Sequence, residues 1–146
     1  MKTFVASVAV LLALAASVSG QSEGWCRCAA FISYNRVEMM VYEAPEAPID
    51  NCDAVNQCKN RCVTEMDELS FGGDLWHVTN SGLTVGQEMC TTLADHYVFY
   101  ISDHKVYGYF EVCGGAWQYA DVASTSDLCC NGGQQKHCQS RVPKKQ

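Results

Sequence analysis

Two short stretches, Cys-Arg-Cys at residues 26–28 and Cys-Lys-Asn-Arg-Cys at residues 58–62, decide how this chain is built. Cysteines two residues apart lie on one face of a strand, and cysteines four residues apart lie on one face of a helix. The two stretches therefore predict a strand and a helix, each joined to the rest of the molecule by two disulfide bonds.

The helix that carries the second stretch is predicted from Asp50 or Asn51, which are good N-capping residues, to about Leu69. Its end is expected before Phe71-Gly72-Gly73, because glycine adopts the left-handed conformation that closes many helices. Apolar residues recur along this segment in steps of three or four, as expected for a helix with one buried side. They are Val55, Cys58, Cys62, Met66 and Leu69.

Two further regions are rich in β-branched and aromatic residues on either side of polar turns, which predicts two hairpins. The first pairs residues 25–32 with residues 37–42, and the second pairs residues 97–101 with residues 106–113. Between them, Thr84 followed by Gln87 resembles a capping box. It predicts a short helix over about residues 87–94.

Near the carboxyl end, residues 116–120 are predicted to form a short strand or a turn, and residues 129–133 a tight turn. With 146 residues and no long linker or repeat, the chain has room for one domain. We therefore expect a small disulfide-rich α+β fold, in which one cysteine-anchored helix packs on short antiparallel strands.

The composition excludes several classes of protein. A hydrophobic content of 48% excludes intrinsic disorder. A formal charge of −6 argues against nucleic-acid binding, which requires a clustered basic surface.

The first twenty residues have the layout of a secretory signal peptide, with Lys2, an apolar run and small residues up to Gly20. The alternative, a membrane anchor, is disfavoured because the apolar run is too short to cross a bilayer. We expect a secreted domain over residues 21–146, with a loose tail from about residue 141 and no membrane insertion. Loss of Lys2 would change the formal charge from −6 to −7.

Secretion changes how the ten cysteines are interpreted, because disulfide bonds persist outside the cell. An even number predicts five disulfides, and the alternative, a zinc site, lacks the usual paired C-x-x-C spacing. Spacing alone leaves the connectivity open. Neighbouring Cys129 and Cys130 would bond each other only with strain, so they are expected to anchor two different segments. The predicted disulfide cysteines are Cys26, Cys28, Cys52, Cys58, Cys62, Cys90, Cys113, Cys129, Cys130 and Cys138.

No constellation of residues in the sequence predicts catalysis, a cofactor or a metal ion. Asp95-His96 and Asp103-His104 could orient an imidazole as a general base, but both pairs fall at predicted turns or element ends. No G-x-S-x-G motif accompanies them. The acidic residues between Asp67 and Asp74 lack the spacing of a calcium-binding loop. We therefore expect a protein that is not an enzyme.

The second predicted hairpin is the best candidate for an interaction surface. It carries Tyr97, Phe99, Tyr107 and Tyr109, and aromatic side chains provide much of the contact area at interfaces. The alternative is that these side chains form the domain's own core, which a small protein needs.

The order of the cysteines resembles that of the arthropod follicle cell proteins, a family of small secreted proteins with ten cysteines. The matching features are the C-x-C near the start, residues 57–62, the aromatic strand, Leu-Cys-Cys-Asn-Gly at residues 128–132 and a last Cys138. The resemblance implies an extracellular, non-enzymatic role in an egg envelope or other matrix. The long intervals on either side of Cys90 leave a different ten-cysteine secreted family as the alternative.

Together these observations predict a secreted, non-enzymatic, cysteine-rich protein. It would act as a structural or interaction component of an egg envelope, cuticle or other matrix, with an extracellular protein or matrix partner. The alternative function is a secreted venom or defence polypeptide that binds a receptor, channel or protease. The negative charge argues against membrane lysis, which relies on cationic faces.

Overall fold

Two antiparallel sheets and two helices make up residues 23–139, the part of the chain that the computed structural model describes. The predicted signal peptide and the predicted tail from residue 141 lie outside the described residues. The helices are α1 (Val55–Ser70) and α2 (Val85–Asp95). The strands are β1 (Gly24–Tyr34), β2 (Val37–Glu43), β3 (Ala47–Ile49), β4 (Tyr100–His104), β5 (Tyr107–Val112), β6 (Gln118–Ala123), β7 (Leu128–Asn131) and β8 (Gln134–Gln135).

The expected disulfide-rich α+β class is confirmed, and the expectation of one cysteine-anchored helix is matched only roughly. Both helices carry bridged cysteines, two on α1 and Cys90 on α2. Neither helix in the described part is long and apolar enough to cross a bilayer.

The larger sheet has the strand order β2-β1-β5-β6, and β3 pairs with the start of β1. The predicted first hairpin is confirmed as β1 and β2. Its two turn residues, Asn35 and Arg36, have positive φ values of 50° and 66°. Positive φ at both positions is typical of the two-residue turns that match the twist of a hairpin.

The predicted second hairpin is wrong, although both of its strands exist. Strand β4 pairs with β7 in a separate three-stranded sheet of order β4-β7-β8, and β5 lies between β1 and β6. Both edges of β5 are already hydrogen-bonded, so no edge remains for β4. Strand composition predicts where strands form, but not which free edge each one meets.

Helix α1 begins at Val55, later than the predicted Asp50 or Asn51. The carboxamide oxygen of Asn51 accepts a hydrogen bond from the Asp53 N–H at 2.8 Å, and this turn takes up the side chain expected to cap the helix. The predicted end is confirmed, since Phe71 closes the helix in the left-handed conformation with its N–H bonded to the Asp67 carbonyl.

Helix α2 confirms the capping prediction, with bounds slightly wider than residues 87–94. The hydroxyl of Thr84 accepts a hydrogen bond from the Gln87 N–H at 3.1 Å. The Gln87 side chain turns instead to the smaller sheet, where it accepts from the Gln135 N–H at 2.9 Å and donates to the Gly133 carbonyl at 3.0 Å. The Gln87 side chain, which would complete the capping box, therefore holds the smaller sheet against α2.

The predicted tight turn over residues 129–133 is shorter in the structure, because Cys129 to Asn131 belong to β7 and only Gly132 and Gly133 form the turn.

All ten cysteines are paired, as the sequence predicts. Two bonds join alternate positions of β1 to successive turns of α1, and Cys129 and Cys130 anchor different segments, which confirms that prediction. The bonds are Cys26–Cys58, Cys28–Cys62, Cys52–Cys113, Cys90–Cys130 and Cys129–Cys138.

The two faces of the larger sheet have different surroundings. Cys26, Cys28, Ala30 and Ile32 belong to the core cluster shared with both helices, whereas the intervening Ala29 and Phe31 are buried outside that cluster. We call the helix-covered side the inner face and the opposite side the outer face. The alternation of side chains along β1 therefore builds two separate layers.

Candidate interaction surface

Five aromatic side chains cover the outer face of the larger sheet, and we call them the aromatic layer: Phe31, Tyr107, Tyr109, Trp117 and Tyr119. Phe31 contacts both Tyr109 and Trp117 edge to face, with ring centroids 5.4 Å and 5.2 Å apart. Tyr119 contacts Tyr107 at 5.9 Å and Tyr109 at 5.6 Å. These are favourable aromatic geometries, so the layer forms a small second core.

Arg27 joins the aromatic layer to two carboxylates. Its guanidinium lies 5.1 Å from the centre of the Trp117 ring and donates hydrogen bonds to Glu43 at 2.5 and 2.8 Å and to Glu111 at 3.2 Å. The hydrogen bond that Arg27 donates to Glu43 raises the pKa of Arg27, partly opposed by desolvation, and the charges of Glu43, Glu111 and Glu46 raise it further. The Glu111 side chain is only 6% exposed, so Arg27 supplies the charge that its burial requires.

The predicted surface residues Tyr107 and Tyr109 are half-buried parts of this layer. Burial is the main cause that raises the pKa of Tyr109, with smaller contributions from Glu38, Tyr119 and Tyr107. Their packing agrees with the alternative that these aromatic side chains form a core. Their layer also includes Phe31, Trp117 and Tyr119, which were not among the predicted surface residues. The alternation of Arg27, Ala29 and Phe31 with the cysteines of β1 is the pattern in the sequence that could have indicated a second buried face.

Tyr97 and Phe99 lie elsewhere, in the segment that leads from α2 into β4. Together with Tyr100 they form what we call the 97–100 segment, and they are exposed to 86%, 42% and 69% for Tyr97, Phe99 and Tyr100. Tyr97 adopts a left-handed conformation, φ 64°, where the chain leaves the helix. The structure therefore divides the four predicted residues between one packed layer and one exposed segment.

Two of the four histidines stack on aromatic rings, and the other two lie at the ends of α2 and β4. His77 stacks on Phe71 with centroids 5.7 Å apart, and His137 stacks on Trp76 at 4.0 Å. His96 closes α2, and the Nδ1 atom of His104 lies 2.8 Å from the Ser102 carbonyl oxygen. Within residues 23–139, no hydrogen bond or ion pair joins a histidine to a carboxylate, so neither Asp-His pair is assembled as a general base.

The described residues contain one group of potential metal ligands, Asp103, Cys129 and Cys138. The two sulfur atoms are bonded to each other, which removes the thiolates that a metal ion would need. Cys26 and Cys28, the C-x-C pair on β1, are bonded to α1 and likewise offer no thiolate to a zinc ion.

An apolar cavity of about 100 Å³ lies between the inner face and the two helices. Met66 of α1, Val85 and Met89 of α2, and Ala30 and Gly108 of the sheet are among the residues that line it. It has no counterpart in the sequence analysis, because residues far apart in the chain enclose it.

Comparison with protein-family models, with curated proteins and with solved structures found no match to this chain. The resemblance to the arthropod follicle cell proteins therefore stays a prediction.

Proposed function

We propose that this protein is a secreted, non-enzymatic interaction component of an extracellular layer, such as an egg envelope, cuticle or other matrix. The predicted signal peptide and the cysteine order support secretion and this setting. Five disulfide bonds suit an oxidising compartment, where they remain formed. The stacking of His77 on Phe71 and of His137 on Trp76 supports a structural role for these two imidazoles.

The exposure of the 97–100 segment is the observation that carries the proposal. Three aromatic side chains within four consecutive residues project from the fold, and the most exposed, Tyr97, is 86% accessible. Exposed aromatic side chains contribute little to folding, but tyrosine supplies large contact area at interfaces with little loss of side-chain entropy. The aromatic layer is less available, because its rings are already packed against each other.

The charges beside this segment indicate the chemistry of the partner. Asp95 and Asp103 are both exposed and lie on either side of the segment in the chain, and the whole chain carries a formal charge of −6. Complementary charge speeds association and favours one orientation of the complex. We therefore propose an extracellular protein partner that offers basic side chains around an apolar patch.

The experiment compares retention of purified secreted variants on the insoluble extracellular material of the tissue that expresses the protein. Tyr97→Ser combined with Tyr100→Ser should lower retention about tenfold or more, as expected for loss of central aromatic contacts. Tyr119→Ser is the matched control, because it removes a 44% exposed tyrosine from the aromatic layer. Equal retention of all three proteins would contradict the proposal.

Charge provides a second test of the same surface. Asp95→Asn with Asp103→Asn should weaken retention less than the tyrosine changes, and added salt should reduce the difference from wild type. Retention that is indifferent to both changes would exclude a basic partner. Expression in a venom gland or blood cells, with the protein free in the fluid, would favour the venom or defence alternative.

Secretion is tested by the intact mass and the amino terminus of the natively released protein. We expect an amino terminus at Gln21, a mass lower by ten hydrogens than that of the reduced chain, and no alkylation without reductant. A retained amino-terminal segment, or one or two free thiols, would contradict this part of the proposal.

A further inference from the structure

We propose that the apolar cavity is a binding site for a short alkyl chain with a hydrogen-bond-donating head group, either a primary ammonium or an alcohol. This inference does not depend on the 97–100 segment or on the proposed matrix partner. It rests on the volume of the cavity, the chemistry of its wall and the charge at its opening.

The volume is large for a domain of this size. Protein interiors contain few voids larger than a water molecule. This cavity measures about 100 Å³, roughly two-thirds of the engineered 150 Å³ cavity that accepts benzene. It therefore has room for an alkyl chain of roughly four carbons.

The wall is mainly apolar, and its buried hydroxyl groups are already bonded. The Ser70 hydroxyl donates to the Met66 carbonyl at 2.6 Å and accepts from the Gly73 N–H at 2.9 Å. The Ser124 hydroxyl accepts from the Val106 N–H at 3.1 Å. In the described part of the chain, no buried side-chain nitrogen or oxygen lacks a partner. Water would therefore gain little inside the cavity, whereas an alkyl chain would be removed from water.

The wall of the cavity is closely packed at Gly108. A Cβ atom there would lie 2.5 Å from a methyl carbon of Val122, so this position offers no side chain to the cavity with the packing as it is. Two of the larger lining residues, Met66 and Met89, have flexible thioether side chains that adapt to ligands of different shape. The cavity can therefore adjust to an occupant without rearrangement of the backbone.

The opening carries negative charge. Asp67 and Gly72 are the exposed lining residues, and Asp67 is the charged one among those that line the cavity. They lie at the carboxyl end of α1, where the helix dipole places partial negative charge and where the last turn contains no basic residue. A head group that donates hydrogen bonds is favoured there, and a carboxylate is repelled.

The test is a titration of the full secreted protein with butan-1-amine, butan-1-ol and butanoate, followed by the methyl resonances of Met66 and Met89. We expect saturable shifts with the amine and the alcohol, and at least tenfold weaker binding of butanoate. In a series of alkylamines, affinity should rise about fourfold per methylene and stop rising after roughly four carbons, when the cavity is full. Unshifted methionine methyls, or affinity that keeps rising with chain length, would overturn the proposal.

Variants separate the cavity from its opening. Val122→Leu, at the inner-face position opposite Gly108, should fill the cavity and weaken amine binding about tenfold. Val85→Ile is a smaller filling change that serves if the first variant is unstable. Asp67→Asn should narrow the difference between amine and butanoate, whereas Glu68→Gln, on the adjacent exposed carboxylate, should leave it unchanged. Amine binding that survives both filling variants, or equal effects of the two charge variants, would contradict the assigned site.

Discussion

The two faces of the larger sheet are stabilised in different ways, although one strand contributes to both. On the inner face, Cys26 and Cys28 are covalently bonded to α1. On the outer face, Phe31 and its aromatic neighbours cover the sheet, with Arg27 held against Trp117. The inner face therefore depends on covalent bonds between secondary structures, and the outer face on packing among side chains.

The inner face is stabilised mainly through the unfolded chain, and the outer face is stabilised through contacts in the folded protein. In the chain-entropy account, a disulfide stabilises mainly by restricting the unfolded ensemble, more for longer loops. The aromatic layer acts only when the strands are assembled, through burial and ring geometry. The faces should therefore respond to different perturbations.

Among the changes that compare the two faces, the largest effect is expected from Cys28→Ala with Cys62→Ala. The two cysteines are 34 residues apart, so loss of their bond should lower the free energy of unfolding by about 4 kcal/mol. Urea unfolding measures it. Cys129→Ala with Cys138→Ala is the matched control, because that bond closes a separation of only 9 residues and should cost about 2.5 kcal/mol. Equal losses would contradict loop entropy as the cause.

On the outer face, Trp117→Ala should lower the free energy of unfolding by about 2 kcal/mol, because Phe31 and Arg27 both lose a contact. Tyr100→Ala removes a 69% exposed aromatic side chain and should change stability by less than about 0.5 kcal/mol. Thermal unfolding of the two variants compares them directly. Similar melting temperatures would show that the aromatic layer contributes no packing beyond that of an exposed ring.

A smaller decrease, a few degrees in melting temperature, is expected from Arg27→Met. The change leaves the buried Glu111 carboxylate without its hydrogen-bond donor. Glu43→Gln is the control, because Glu43 is 42% exposed and water can replace its partner. Adding Glu111→Gln to Arg27→Met should recover part of the loss, and a double variant that is less stable still would contradict this account.

Tyr109→Phe is expected to change the free energy of unfolding least at neutral pH. At alkaline pH its effect on stability should be clear. Burial raises the pKa of Tyr109 on the outer face and of Tyr42, which packs against the core. A raised pKa favours the neutral form in the folded protein. The resulting stability is fully present below the unfolded pKa of about 10 and is lost as the pH rises through the folded pKa.

Urea midpoints between neutral and strongly alkaline pH measure this loss. Tyr109→Phe and Tyr42→Phe should each make the alkaline decrease shallower, and the double variant should make it shallower still. An unchanged pH profile in the double variant would mean that neither hydroxyl is perturbed by burial.

The sequence predicted four aromatic residues of the candidate surface, but not how they are arranged in space. The aromatic enrichment of two chain segments identified Tyr97, Phe99, Tyr107 and Tyr109, and the structure places them in two different environments. The division arises because β4 and β5 do not pair with each other. Tyr119, which contacts both Tyr107 and Tyr109, lies on β6, and the sequence predicted only a short strand or a turn there.

The sequence by itself determined the local features of this protein. Steps of three or four residues located α1, Thr84 marked the start of α2, and an even number of cysteines predicted that all would be bonded. These features depend on neighbours in the chain, whose geometry the backbone sets.

The tertiary structure alone decided which cysteines and which strands meet, how the aromatic side chains divide, and where the cavity lies. Each of these depends on groups far apart in the chain that come together when hydrophobic faces are buried. Helix α1 shows both kinds of control. Its periodicity is local, but its start moves to Val55 because the Asn51 side chain is bonded within the preceding turn, which the Cys52–Cys113 disulfide joins to the end of β5.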